Sequence, residues 1–158
     1  MHSRIDVTVA AVIEEMERFL LVEEEVGGRR VLNQPAGHLE PGESLIEAVI
    51  REVGEETGYL FRPDRVVGIY LWPCDSAERS YLRVCFVGSA TPPAEIPILD
   101  TGIIATHWLT RAQLRNPQHA LRSPLVLRCI DDYCRGVRYP LDCLQHVAPE
   151  PLENVRLA

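Results

Sequence analysis

No run of basic residues occurs in this chain of 158 residues, and its formal net charge is −7. A duplex nucleic acid held through its phosphate backbone is therefore excluded as an expected partner. No apolar stretch approaches the roughly 18 residues that a membrane span requires. Residues 1–13 carry Asp6 and have no apolar core long enough for a secretory signal, so a cytoplasmic protein with no membrane partner is expected. The five cysteines, Cys74, Cys85, Cys129, Cys134 and Cys143, are odd in number and form no C-x-x-C pair. That pattern argues against both a disulfide framework and a zinc site and predicts buried free thiols. The histidines show no ligand spacing. Internal repeats and linker-like segments are also lacking, so residues 1–158 read as one domain with one core, monomeric or homodimeric.

What is present is an irregular alternation of strands and helices. Ile5 to Ile13 alternates in apolar character and reads as a strand; Phe19 to Val26 reads as a second, and a turn over Glu14 to Arg18 predicts a hairpin between the two. A short strand is expected from Val31 to Gln34, followed by Pro35-Ala36-Gly37. Val66 to Trp72 and Tyr81 to Val87 are strands rich in β-branched and aromatic residues, joined by a loop over Pro73 to Ser80. Thr91 to Ile98 holds three of the 12 prolines and makes a loop. Ile103 to Leu109 is a further strand, and Thr110 opens a short helix through Leu114. A last helix starts at Ser123-Pro124, with Ser as cap and Pro in the first turn, and runs to about Cys134 before Gly136. The pattern predicts an α/β fold with a mixed sheet between helices.

One helix is unusual. Ser44 followed three residues later by Glu47 is a capping box, and Gly58 after Thr57 supplies a left-handed terminator, so a helix is predicted from Ser44 to Thr57. At 100° per residue, Leu45, Ile46, Ala48, Val49 and Val53 gather on one side. Glu52, Glu55 and Glu56 stand on the flank beside it. Like charges at those spacings repel, with Arg51 the one nearby cation, so something outside the helix must compensate. A hard divalent cation does so naturally, since Mg²⁺ takes oxygen ligands and is often bound by a few carboxylates together with substrate phosphates. The competing reading is a solvated acidic face.

The wider stretch decides between these. Gly37, Glu43, Arg51, Glu52, Val53, Glu55, Glu56, Gly58 and Tyr59 follow the spacing of the Nudix box, and the sequence resembles the Nudix hydrolase family. Tyr59 departs from the usual aliphatic residue at the last position. Asn33 to Glu40, Leu121 to Val126 and Arg138 to Leu141 further resemble the phosphatase NudJ branch of that family, and Ala36 stands where many members that sanitise oxidised nucleotides carry a second glycine. The resemblance implies a Nudix-type α/β/α sandwich. It also implies Mg²⁺ (or Mn²⁺) held by Glu52, Glu55, Glu56 and the carbonyl oxygen of Gly37, and a broad-specificity phosphatase. Its substrates would be small nucleoside di- and triphosphates and related pyrophosphates, including hydroxymethylpyrimidine pyrophosphate.

On this reading Mg²⁺ bridges the carboxylates and the phosphate oxygens and activates the attacking water. Glu52 and Glu56 are expected ligands, Glu55 a third ligand or the general base, and Glu43 and Arg51 a pair that fixes the loop against the helix. Asp100 is either a further ligand or base, or a turn residue. Arg79, Arg83 and Arg122 are candidate phosphate clamps or surface charges, and Trp72 and Tyr81 stack on a base or sit in the core. Two other functions compete: a pyrophosphohydrolase cutting a dinucleotide or nucleotide sugar into two monophosphates, and a non-catalytic Nudix-fold module that binds a nucleotide.

Overall fold

In the computed structural model, residues 4–73 and 79–147 are described. In chain order the elements are β1 (Arg4–Val12), β2 (Glu14–Glu15), β3 (Arg18–Val26), β4 (Arg29–Asn33), β5 (Ala36–His38), α1 (Leu45–Thr57), β6 (Leu60–Pro73), β7 (Arg79–Thr91), β8 (Ile103–Thr110), α2 (Arg111–Leu114), α3 (Leu125–Cys134) and β9 (Tyr139–Pro140). The larger sheet runs β5-β1-β7-β6-β9, with β1 and β7 parallel and the other pairs antiparallel. In the smaller sheet β3 pairs with β8 along one edge, because Glu23 faces Ala105 there and Leu32 of β4 on the other; β2 shares the β4 edge.

Period-2 alternation puts the strand side chains into two cores. Val9 and Ala11 of β1, Leu20 of β3, Val66 of β6 and Val84 and Phe86 of β7 face one way and receive Ala48, Val49 and Val53 of α1. Ala10, Val12, Leu21, Val67 and Cys85 face the other way and receive Val126, Cys129 and Ile130 of α3. Each fully buried Val contributes about 1.5 kcal/mol or more through removal from water, so the two helices are clamped to opposite faces. The result is a mixed α/β sandwich with helices on both sides, as the sequence predicts. Among the described residues no helix is long and apolar enough to cross a membrane.

Four local expectations are corrected. β1 and β3 do not form a hairpin: the chain changes sheet at Ile13, and the hairpin is instead β2-β3, turned by Met16 and Glu17 at φ 50° and 61°. β6 and β7 extend beyond the expected strands to Leu60–Pro73 and Arg79–Thr91, and what joins them, with Cys74, lies outside the described residues. Pro124, rather than Ser123, is the cap of α3, and it offers no side-chain cap; the Ser123 hydroxyl is buried elsewhere. Cys85 and Cys129 are buried free thiols, but Cys134 and Cys143 are exposed.

Candidate active site

The site is built on α1, whose ends are fixed by local chemistry. Ser44 accepts from the Glu47 backbone N–H and the Glu47 carboxylate accepts from that of Ser44, a complete capping box, while Gly58 closes the helix at φ 74°. The apolar stripe then fixes the rotation of the helix. Val49 and Val53 point into the core, and Glu52 and Glu56 on the adjoining flank are buried with them.

β5 lies across that flank. An added Cβ at Gly37 would fall on the carboxylate of Glu52, so the glycine leaves the space that Glu52 fills. One residue earlier, the Ala36 backbone N–H donates to Glu56 Oε2 at 2.8 Å. Gly37, Glu52 and Glu56 are therefore brought together by a strand laid across one turn of helix.

Arg51 organises the remaining acids. It meets Glu43 in a two-pronged pair, Nε to Oε2 at 3.0 Å and a terminal nitrogen to Oε1 at 2.6 Å. Its other terminal nitrogen donates to Glu52 at 2.7 Å and Glu55 at 3.1 Å, and the His38 carbonyl accepts a further bond at 3.1 Å. The guanidinium thus supplies much of the compensation the acidic cluster requires. Hydrogen bonding from Arg51 holds the Glu43 carboxyl below its ordinary range. The same bond, foremost, raises the Arg51 guanidinium above its own.

Glu56 is different. It is 7% exposed, and the backbone bond from Ala36 is its one hydrogen bond among the described residues. Burial, reinforced by the nearby charges of Glu52, Glu24 and Asp100, pushes its carboxyl up to about 8. Burial also raises Glu52, against the opposing pull of Arg51. Asp100 behaves as a turn residue, since its carboxylate accepts from the Thr101 N–H at 2.7 Å and its own N–H bonds the Glu55 carbonyl at 2.9 Å.

These groups are all oxygen donors of the kind a hard divalent cation takes, and Glu56 is a buried carboxyl with no basic partner among the described residues. Glu52, Glu56 and the Gly37 carbonyl are therefore the donor set that could hold such an ion, with Glu55 half-exposed at its edge. Among the described residues no three His, Cys, Asp or Glu side chains are already gathered as a metal cluster. Glu52 and Glu55 instead both pair with Arg51.

Beside Gly37 opens a cleft of about 320 Å³. Trp72, Tyr81, Arg83 and Arg122 line it together with Thr8, Asn33 and Ser123. Trp72 and Tyr81 stack on each other with ring centres 5.8 Å apart. Arg122 pairs with Glu24 at 3.5 Å. Arg79, the third candidate clamp, instead pairs with Asp6 at 2.9 Å and does not line the cleft. Sequence reasoning missed Thr8, Asn33 and Ser123, which come from three separate segments and carry no motif. A larger hollow of about 590 Å³ lies between β6 and α3, but it contains none of the α1 carboxylates, and Asp132 there already binds Arg128 and Arg135.

This geometry, a strand glycine seated on a helix glutamate within an arginine-braced acidic turn, defines a class, and comparison with known proteins agrees. Residues 3–129 match the NUDIX domain family, and the chain belongs to it. It is a Nudix hydrolase, in a family whose members generally use divalent cations and act on small nucleotide-type substrates. The chain is 36% identical over 138 residues to Phosphatase NudJ of Escherichia coli strain K12, covering 87% of this chain and 89% of that protein. A NUDIX hydrolase from Nitrosomonas europaea superimposes with a TM-score of 0.86 at 50% identity, over 91% of this chain and 98% of the other. The NUDIX domain of Shewanella oneidensis NrtR, solved with ADP ribose, shares the fold at a TM-score of 0.65 and 16% identity, over 84% and 90% of the two chains.

Proposed function

We propose that this chain is a Mg²⁺-dependent phosphatase that removes the terminal phosphate of nucleoside di- and triphosphates, and of related pyrophosphates such as hydroxymethylpyrimidine pyrophosphate, releasing orthophosphate. The observation that carries this reading is the buried Glu56 carboxyl, which has no basic partner among the described residues and is bonded by the Ala36 backbone N–H next to Gly37, itself part of the lining of a small cleft. The likeness to Phosphatase NudJ over most of both chains supports the phosphatase outcome. We take residues 1–158 as a single cytoplasmic Nudix domain.

When bound, the cation would supply charge neutralisation and Lewis acidity. The chain's own residues do the rest. Glu52, Glu56 and the Gly37 carbonyl would hold the ion. Glu55, half-exposed and paired with Arg51 at 3.1 Å, would serve as third ligand or as the base that takes a proton from the attacking water. Glu43 acts through Arg51: the two-pronged pair locks the loop onto α1 and sets where Glu52 stands.

The runner-up, cleavage of a dinucleotide or nucleotide sugar into two monophosphates, is disfavoured by size. A cleft of about 320 Å³ lies at the small end of ligand sites, which favours a substrate with one nucleoside over one with two. A panel of ATP, hydroxymethylpyrimidine pyrophosphate, ADP-ribose and a diadenosine polyphosphate, each incubated with Mg²⁺ and resolved for products, tests the proposal. Orthophosphate from the first two is expected. Two monophosphates from the last two, with nothing from the first, would transfer the chain to the runner-up activity.

A further inference from the structure

Arg83 is a buried cation without a carboxylate. It sits on β7 at 7% exposure; among the described residues its Nε has no hydrogen-bond partner, and its one side-chain bond is a long one, 3.5 Å to the Gln34 side-chain oxygen. No ion pair reaches it among the described residues. Buried charges are normally paired, because the desolvation cost is large and nothing else offsets it.

Its surroundings share the same deficit. The Thr8 and Ser123 hydroxyls and the Asn33 side-chain oxygen are also buried with no partner among the described residues, and all four residues line the cleft beside Gly37. A hydroxyl turns to donate, and an amide can present its nitrogen, so the group as a whole can offer donors to one anion. Arg122, the other basic residue there, is already paired with Glu24. The rim carries the stacked Trp72 and Tyr81, which suits a planar ring.

We infer that Arg83, supported by the Thr8 and Ser123 hydroxyls, binds the phosphate that stays on the organic product, next to the ring held at Trp72 and Tyr81. This rests on the reading that the bond broken lies over the α1 carboxylates. It assigns the retained phosphate a fixed seat on β7 and makes Arg83 a binding residue that determines which side of the anhydride is kept.

Cytidine 5′-monophosphate and cytidine have no anhydride bond, so their binding in Mg²⁺ by calorimetry reports the cleft whether or not the chain turns anything over. The wild-type protein should bind the monophosphate about tenfold or more tighter than cytidine, the size of a charge-assisted contact. Arg83→Met should abolish that advantage and leave cytidine binding unchanged, and Ser123→Ala should reduce it about threefold. Since the Ser123 hydroxyl has no partner among the described residues and Arg83 has one long bond, to Gln34 at 3.5 Å, the ligand-free melting temperature of each variant should stay close to or exceed that of the wild type. If Arg83→Met does not fold, Arg83→Lys, which keeps the charge and loses the planar fork, should show an intermediate advantage. A wild-type protein with no preference for the monophosphate would overturn the assignment. So would variants that keep the full preference, or that melt lower with the preference intact, which would mark a structural role.

Discussion

The carboxylate of Glu52 occupies the space in which a side chain on Gly37 would begin. The strand and the helix meet so closely there that the glycine is required by the neighbour and not by its backbone angles. Gly37→Ala should therefore leave the strand intact yet drive Glu52 out of its position, lowering kcat/KM by about a hundredfold, the effect of losing one directly acting group. Unchanged turnover in that variant would show that the seat of Glu52 on Gly37 is irrelevant to the chemistry.

Arg51 and Glu43 form the brace of the site. Arg51→Ala and Glu43→Ala should each reduce activity, and the double variant should be less impaired than the sum, with a coupling of about 0.5–3 kcal/mol in transition-state free energy. Strict additivity would remove the pair from the account.

Glu56 carries a sign that can be measured in EDTA. Its carboxyl is pushed up to about 8 by burial, so the folded state binds a proton more tightly than the unfolded chain, where the ordinary value is 4.5. Its contribution to stability is thus fully present below pH 4.5 and is lost as pH rises through about 8. Chemical denaturation of the metal-free protein should show the wild type losing stability relative to Glu56→Gln across that window. The same variant should lose about two orders of magnitude in turnover with Mg²⁺. A stability difference that is flat with pH would refute the burial argument for this residue.

Asp132 offers a contrast away from the site. It accepts from Tyr70 at 2.9 Å and Arg128 at 3.0 Å and also pairs with Arg135, and although burial acts to raise its carboxyl, these partners hold it below the ordinary range. Its stabilisation is present above about pH 3.8 and is lost on acidification through its lowered folded value. Asp132→Asn should cost about 1.5–3 kcal/mol of stability near neutral pH while leaving kcat unchanged. A fall in kcat at full stability would contradict the separation of the two faces.

How much of this was legible in the sequence depended on how local the cause was. Ser44, Glu47 and Gly58 fix both ends of α1 through bonds to their own neighbours, so the helix boundaries follow from the residues alone. Glu43 and Arg51 are eight residues apart and come together as the resemblance implies. The change of sheet at Ile13 was not legible, because the choice between pairing β1 with β3 or with β7 is made by the two cores, and alternation is the same either way. Ser123 reads as a helix cap by type, yet packing draws its hydroxyl into the cleft. Arg83 was a candidate clamp by type alone, whereas Thr8 and Asn33, which converge on it from two other strands, could be recognised only after folding.

The central claim is that the terminal phosphate is removed with water and leaves as orthophosphate. Following CTP by ³¹P NMR with Mg²⁺ from the first turnovers measures it directly. Orthophosphate and CDP should appear together at equal rates, followed by CMP, with no reaction in EDTA. Inorganic pyrophosphate and CMP as the first products would contradict the account.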